Sequence, residues 1–372
     1  MPLHRARSHE HYMLEALRLA RREHVLPDPN PWVGCVVVRD NKIVGRGSHR
    51  GPGTDHAEVE ALEQAGREAR NASLYVTLEP CCHYGRTPPC TNAILSAGIR
   101  KVLYALRDPN PSVAGRSARI LRARGLVVKS GLCSRQAAAL NEVYLKYHAT
   151  GLPFVTVKVA TTLDGKIATR TGESKWITDT AARRHVRGLR SENQAVLVGI
   201  NTILADDPQL GPRIPGRDDP WRIVLDSRLR IPAESQAVRS RKCIVACAEG
   251  ASSQKKARLE RHGATVWEFG TRRVPIKALL TRLAEEGIIS VLVEGGSEVL
   301  GSFFDQGLVD RVYWFLSPII VGSVQSRAAV AGAGVARLVD AWRLRESSLE
   351  PIGKSWLVGG NLGRWALAEP SA

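Results

Sequence analysis

Nowhere in the 372 residues do about 18 apolar residues run together, so the chain offers no membrane span. The start, MPLHRARSHEHYMLEALRLARR, lacks an apolar core followed by a small-residue cleavage site, and no secretion signal is read there. Its Arg-rich, acid-poor composition is compatible with organellar import; otherwise the expectation is a soluble, cytoplasmic protein. Cysteine is sparse. Of seven residues, three fall between Cys81 and Cys90 and the rest are scattered, which excludes a small disulfide scaffold and fits a reducing compartment. Aromatic residues are only 5% of the chain, too few for base-stacking platforms. Acidic residues are short as well, 36 against 53 Lys+Arg, for a net charge of +17. That excess is spread evenly, with 22 basic against 13 acidic residues in 1–150 and 31 against 23 thereafter, and there is no basic tail or basic helix. A solvated basic surface or small phosphate-bearing substrates account for it; neither nucleic acid nor membrane is an expected partner.

Length favours two globular units. Residues 11–22 have helical apolar spacing, and WVGCVVV and NKIVGRG read as strands joined at Arg39-Asp40-Asn41. HAEVEALEQAG reads as a helix with Asp55 as N-cap and Gly66 as stop, SLYVTLE as a strand, TNAILSAG as a helix and KVLYAL as a strand. GLCSRQAAALNEVYLKYHATGLPF reads as a helix ending at Gly151, which Pro153 cannot extend. The expected domains are therefore 1–150 and 151–372. The second repeats the alternation: FVTVKVA, QAVLVG, WRIVLDS, KCIVAC, IISVLVEGG and VDRVYWFLSP as strands, and TAARRHVRGLR, SQKKARLERHG, VPIKALLTRLAEEG and SEVLGSFFDQG as helices. Both halves are α/β. DPNP, at 28–31 and again at 108–111, reads as a turn.

The chemistry concentrates in EPCCHYGRTPPC, residues 79–90. Eight residues separate Cys81 from Cys90, and alone this is weak. Upstream, however, DHAEVEAL places His56 and Glu58 at a helix start, and H-x-E followed by P-C and a second Cys opening a helix is the zinc-deaminase pattern, in which the Glu moves protons and is not a ligand. Two thiolates and an imidazole suit zinc, with an open position for water. Pro88 and Pro89 start the helix that presents Cys90, where the helix dipole would lower its thiol pKa. His83, two residues from Cys81, is an alternative ligand, but it leaves Glu58 without a purpose. Positions i and i+2 of an ideal helix diverge, so His56 and Glu58 can converge only in the first turn. The plain alternative is that the cysteines are buried small hydrophobes and His56 a cap.

HAEV, EPC-x-H-Y-G-R-T-P-P-C, NPWVGCVVV and DPNPSVAGR resemble the deaminase half of the bifunctional riboflavin-biosynthesis deaminase/reductases, and TTLDGKIA, TGESKWIT, LADDPQL, VLDSRLRIP and VEGGSEVLGSF resemble their reductase half. The resemblance implies a cytidine-deaminase-like α/β/α sandwich followed by a dihydrofolate-reductase-like α/β domain. It also implies zinc-dependent deamination of 2,5-diamino-6-(5-phosphoribosylamino)pyrimidin-4(3H)-one, then NADPH-dependent reduction of the ribosyl chain to a ribityl chain. Carried onto this sequence, it makes His56, Cys81 and Cys90 the ligands of one zinc per chain and Glu58 the proton shuttle. Asn30, His49, His83 and Arg86 fall at substrate positions of the first domain. In the second, Ala160, Trp176, Thr202, Asp206, Ser227, Gly296, Ser297, Glu298, Val299, Leu300, Gly301 and Ser302 fall at NADPH positions, and Ser174, Arg190, Leu210, Arg213 and Glu294 at substrate positions. Lys158 joins the latter as a candidate proton donor.

Read without the resemblance, IISVLVEGGSEVLGSF is a strand, a Gly-Gly turn and a helix whose N-terminus suits a pyrophosphate. The glycine spacing is not that of a Rossmann fingerprint. Trp176 as a core aromatic, Arg86 and Arg190 as surface charges, Asn30 as a turn residue and His49 as a surface histidine are the plain alternatives. Two departures from the family pattern stand out: Gly211 where Thr is usual, which puts a hydrogen bond near Arg213 in doubt, and Thr162 where Ser is usual. The competing readings are a deaminase with a weakened reductase domain, a tRNA deaminase, for which P-C-x-x-C would be expected, and a binding protein with one degenerate domain. A homo-oligomer is left open, and Cys82 is given no catalytic role.

Overall fold

The computed structural model describes residues 8–21, 29–85 and 87–363 and separates after Gly151 into two compact units. Gly151 sits at φ 70° and its N–H donates to the Tyr147 carbonyl, a left-handed helix stop.

In the first unit, β1 (Gly34–Arg39) and β2 (Lys42–Ser48) form a hairpin through Asp40 and Asn41. Both turn residues have positive φ, 47° and 62°, the geometry whose twist matches a two-residue hairpin. With β3 (Ser73–Leu78), β4 (Lys101–Leu106) and β5 (Val127–Ser130) they make a five-stranded sheet of order β2-β1-β3-β4-β5. The first three strands are antiparallel and the last three parallel. Alternation along the strands sends Val36, Val38, Tyr75 and Leu103 to one side, where they pack on the helix His9–Ala20. Cys35, Val37, Val76 and Tyr104 face the other side and pack on Ala61, Ile94 and Leu121 from three further helices. The helix Ala57–Ala65 lies directly on β2: a Cβ at Gly47 would stand 2.1 Å from the Ala57 carbonyl oxygen. Only glycine permits so close an approach.

The second unit is built on nine strands: β6 (Phe154–Thr162), β7 (Ala195–Gly199), β8 (Trp221–Leu225), β9 (Cys243–Cys247), β10 (Ala264–Glu268), β11 (Ser290–Gly295), β12 (Arg311–Ser317), β13 (Arg345–Ile352) and β14 (Ser355–Asn361). The order is β10-β9-β8-β7-β11-β6-β12-β14-β13, parallel up to β12 and closed by the antiparallel β14 and β13. Helices cover both faces of the parallel part, which is why AVLVG and SVLV are buried at every position instead of alternating. Val186 and Leu189 of the helix Thr180–Ser191 meet Val196, Val198 and Phe315 on one face. Leu279, Leu283 and Phe303 meet Leu197, Val291 and Val293 on the other. The helix Thr180–Ser191 is started by the Asp179 carboxylate, which accepts from the Ala182 N–H at 2.9 Å.

Three sequence expectations are corrected. The helix read as ending at Gly151 is two helices, Ser134–Leu140 and Glu142–Thr150, broken at Asn141. The Asn141 side chain accepts from the Trp32 N–H at 2.7 Å and donates to the Trp32 carbonyl at 3.0 Å, a tertiary contact that local propensity cannot foresee. The N-cap of Ala57–Ala65 is His56, not Asp55. The hairpin β13–β14 was not expected; every residue of β13 but the last is exposed, so the strand lacks the apolar alternation that marks a half-buried one. Among the described residues no helix is long and apolar enough to cross a membrane.

Candidate active sites

In the first unit β3 leads into Glu79, Pro80 and Cys81. Glu79 is scaffold: its buried carboxylate accepts from the N–H groups of Gly115 (2.9 Å) and Ala118 (3.3 Å) and so caps the helix Arg116–Ala123. Cys90 is the first residue of the helix Cys90–Ser96, with Pro89 as N-cap. Its N–H donates to Cys81 Sγ at 3.2 Å. His56, in extended conformation (φ −74°, ψ 154°), turns Nδ1 toward both sulfurs, 3.1 Å from Cys90 Sγ and 3.5 Å from Cys81 Sγ. Because His56 caps the helix instead of lying in it, imidazole and Glu58 escape the i, i+2 divergence.

The ligand atoms of His56, Cys81 and Cys90 all lie within 4.8 Å of one another. Tetrahedral zinc sets S···N edges of about 3.6 Å, close to the 3.1 and 3.5 Å found here, so the donor set suits the ion. The hydrogen bond from Cys90, and then His56, lower the pKa of the Cys81 thiol. Cys90 is pushed up by the same bond and by burial. The N–H at the helix terminus points at Cys81 Sγ. Glu58 is 4% exposed, and burial, then the Cys81 charge, push its carboxyl up to about 7. A carboxyl poised there can both accept and donate a proton near neutral pH.

Asn30 and His49 are brought to the same place. His49 Nδ1 faces the Asp55 carbonyl at 3.1 Å, which can only accept, so Nδ1 carries the proton and Nε2 accepts from the Asn30 amide at 2.8 Å. Burial lowers the pKa of His49 and keeps it neutral. Its ring meets that of His56 edge-on at 5.2 Å. His83 is exposed on the loop, Cys82 Sγ donates to the Ser112 carbonyl at 3.6 Å, and Arg86 lies outside the described residues. In the second DPNP segment Asp108 and Asn110 bond the backbone two residues on, as a turn requires. Sequence reasoning missed Thr87, whose Oγ1 is 3.3 Å from His56 Nε2. With Nδ1 turned to the sulfurs, Nε2 is the protonated nitrogen and donates to that hydroxyl. The only available signal was its place beside the two prolines.

In the second unit a cavity of about 1570 Å³ opens along the ends of β6, β7, β8 and β11. That exceeds the roughly 300–1,000 Å³ of a single small-ligand pocket and suits two ligands. The helix Ser297–Asp305 points its N-terminus into it behind Gly295 and Gly296, at φ 152° and 88°. Ala160, Thr202, Ser227, Gly296, Ser297, Glu298, Val299, Leu300 and Ser302 line the wall. So do Asp206, paired with Lys175 at 3.1 Å, and Trp176, which is 68% exposed under the Arg183 guanidinium and so is no core aromatic. Gly301 does not line the cavity; its backbone packs against the carbonyl of Ala331, a lining residue, and leaves no room for a Cβ.

Ser174, Lys158, Arg190, Arg213 and Glu294 also line the cavity. Arg190 grips Glu294 with two bonds, of 2.5 and 2.8 Å, and is no surface charge. Burial opposes the Glu294 charge, but Arg190 and then Lys158 outweigh it and hold its pKa below the usual value; burial lowers that of Lys158. Leu210 sits differently: its side chain is 2% exposed in the hydrophobic core. Thr162 does what a Ser would, donating to Asp164 and accepting from the Lys166 N–H. Arg228, Arg230 and Arg273 line the cavity too and were not singled out in the sequence, where the basic excess looked diffuse.

These features define a hydrolytic deaminase of the zinc type joined to a second unit with a cofactor-sized basic cavity. The family description "cytidine and deoxycytidylate deaminase zinc-binding region" matches residues 6–106, and "RibD C-terminal domain" matches residues 153–358. The riboflavin biosynthesis protein RibD of Bacillus amyloliquefaciens is 43% identical over 347 residues, 92% of this chain and 94% of its own. The solved structure of Acinetobacter baumannii RibD, form 2, matches with a TM-score of 0.86 at 36% identity, covering 95% of this chain and 98% of that one. A Thermotoga maritima diaminohydroxyphosphoribosylaminopyrimidine deaminase/5-amino-6-(5-phosphoribosylamino)uracil reductase matches at 0.81 and 34%, with 95% and 98% covered. The chain belongs to the RibD family of riboflavin biosynthesis proteins and joins a cytidine-deaminase-like domain to a reductase domain.

Proposed function

We propose that the chain catalyses two consecutive steps: hydrolytic deamination of 2,5-diamino-6-(5-phosphoribosylamino)pyrimidin-4(3H)-one by residues 1–150, then NADPH-dependent reduction by residues 151–372 to 5-amino-6-(5-phosphoribitylamino)uracil. The observation that carries the reading is the convergence of His56, Cys81, Cys90 and buried Glu58. His56, Cys81 and Cys90 hold one zinc, which when bound supplies the Lewis acidity that makes water nucleophilic near neutral pH. Glu58 moves a proton from the water to the pyrimidine ring nitrogen and later to the departing ammonia. Neutral His49 fixes the Asn30 amide by taking one N–H, which leaves the Asn30 carbonyl oxygen to accept from the substrate's amino group. His83 and Arg86 are assigned to substrate binding.

In the second domain the helix N-terminus at Ser297, the segment to Ser302, and Ala160, Trp176, Thr202, Asp206 and Ser227 bind NADPH, which supplies the hydride. Glu294 orients Arg190, and Arg190 with Arg213 and Ser174 holds the phosphorylated sugar. Leu210 anchors its loop in the core, so contact with substrate there falls to its backbone. Lys158, its pKa lowered by burial, delivers the proton. A coupled assay with the diamino substrate, followed by product mass, tests both halves. Exchange of the amino group for oxygen is expected without NADPH, and a further gain of two hydrogens only with it. Retention of the amino group by the zinc-loaded protein would overturn the first assignment, and deamination with no NADPH oxidation the second.

A further inference from the structure

We propose that Arg222, which lines no part of the cavity, is a positioning residue for phosphate recognition by the reductase: it sets the loop that carries Arg213. Arg222 lies at the start of β8 and is 3% exposed. Its single guanidinium ties both ends of the segment 209–220, donating from Nε to the Gln209 carbonyl (3.2 Å), from Nη1 to the Pro220 carbonyl (3.1 Å) and from Nη2 to the Asp219 carboxylate (2.9 Å). Between these ends Leu210 is locked in the core, and the Gly211 carbonyl accepts from Arg190 Nη1 at 3.2 Å. Arg213 then emerges into the cavity at φ 52°, a left-handed conformation that a non-glycine residue adopts only where its surroundings enforce it.

Two arginines thus hold one loop from opposite sides. Arg190 works from within the cavity and is itself fixed by Glu294; Arg222 works from behind the wall. Gly211 belongs to the same device. A Cβ there would stand 2.8 Å from Asp219 Oδ1 and 3.1 Å from Arg222 Nη2, so the missing side chain is what lets the carboxylate and guanidinium close over the loop. Gly211 therefore leaves no gap: the Asp219–Arg222 pair occupies the room a side chain would take. The consequence for chemistry is selective. A loosened loop moves the Arg213 fork away from the phosphate, while the NADPH wall, carried on the ends of β6, β7, β8 and β11 and on the helix Ser297–Asp305, lies outside the segment 209–220.

The inference rests on the proposed reading of Arg213 as a phosphate contact, and its test separates the two. Reductase kcat and KM are measured for the deaminated substrate and its dephosphorylated counterpart, using wild type, Arg222→Met and Gly211→Ala. Misplacement of a binding group by about 1 Å costs on the order of 100-fold. Arg222→Met is expected to lower kcat/KM for the phosphorylated substrate roughly 10- to 100-fold, mostly through KM, while the dephosphorylated substrate and the NADPH Kd change less than about twofold. Gly211→Ala, at a backbone geometry open to alanine, should move the same ratio in the same direction by pushing the Asp219 carboxylate aside, and it decides the matter if Arg222→Met does not fold. Equal losses on both substrates, or an unaltered ratio in Gly211→Ala, would overturn the role of Arg222 and leave Arg213 standing. A wild type that does not discriminate between the substrates would remove the phosphate role of Arg213 and this assignment with it, while NADPH-dependent reduction itself remained.

Discussion

Replacing Glu58 by Gln separates proton transfer from every other property of the deaminase site. The residue is 4% exposed, so an amide of the same size preserves packing and removes only the titratable group. Among the described residues no neighbouring base can stand in. Both ring nitrogens of His49 are engaged, by Asp55 and Asn30, and those of His56 face the sulfurs and Thr87. Two proton transfers therefore pass through one carboxyl, and each instance of general acid–base catalysis is worth roughly 100- to 10,000-fold. A loss of at least about 1,000-fold in deamination kcat is expected, some 4 kcal/mol of transition-state stabilisation. The assay follows ammonia release at saturating substrate, with zinc content measured on the same preparation and the reductase rate measured on pre-deaminated substrate. Zinc and reductase activity should be retained. A Glu58→Gln protein that kept its zinc and deaminated within about tenfold of wild type would refute the single-carboxyl shuttle.

Thr87→Val removes the acceptor for His56 Nε2 and should weaken zinc binding in chelator competition by roughly 10- to 100-fold, whereas Thr87→Ser should restore it; equal affinity in the two variants would show that the hydroxyl does nothing for the ligand. Burial pushes the Asp108 carboxyl up to about 6, so its ionised form is penalised in the fold, and this penalty is full above pH 6 and fades as pH falls toward the unfolded value near 4. Asp108→Asn keeps the oxygen that accepts from Tyr144 and Asn110 and should stabilise the protein by roughly 1–3 kcal/mol at pH 7.5, an advantage reduced to about a third by pH 4.5 and gone by about pH 3; a gain of the same size at pH 7.5 and pH 3 would contradict the burial argument. Gly47→Ala should force the helix Ala57–Ala65 off β2 and cost about 1–3 kcal/mol in thermal unfolding together with deaminase activity, while reductase activity survives; an unimpaired deaminase would mean the backbones can separate without disturbing His56 and Glu58.

The zinc-type cluster was legible because its residue types are rare in combination, and the fold because apolar periodicity and glycine stops survive in most elements. What escaped was non-local. The rule that an Asp caps a helix is sound, yet here the helix begins one residue later, since His56 must leave helical geometry to face two sulfurs from another part of the chain. The helix terminus at Cys90 was legible, whereas the aim of its N–H at Cys81 Sγ was not, because where an N–H points depends on the fold and not on spacing. Leu210 illustrates the converse: its place in the motif marked it for substrate, while its side chain went to the core. The β13–β14 hairpin carried no alternation to read, being exposed on β13 along almost its whole length.

The break at Asn141 determines where the chain can be divided. Asn141 is 1% exposed, lies only ten residues before Gly151, and holds both backbone groups of Trp32, two residues from Asn30. The last helices before the second unit are therefore a clasp on the segment that presents Asn30. A cut at residue 140 would open that clasp; a cut after Gly151 would leave it shut.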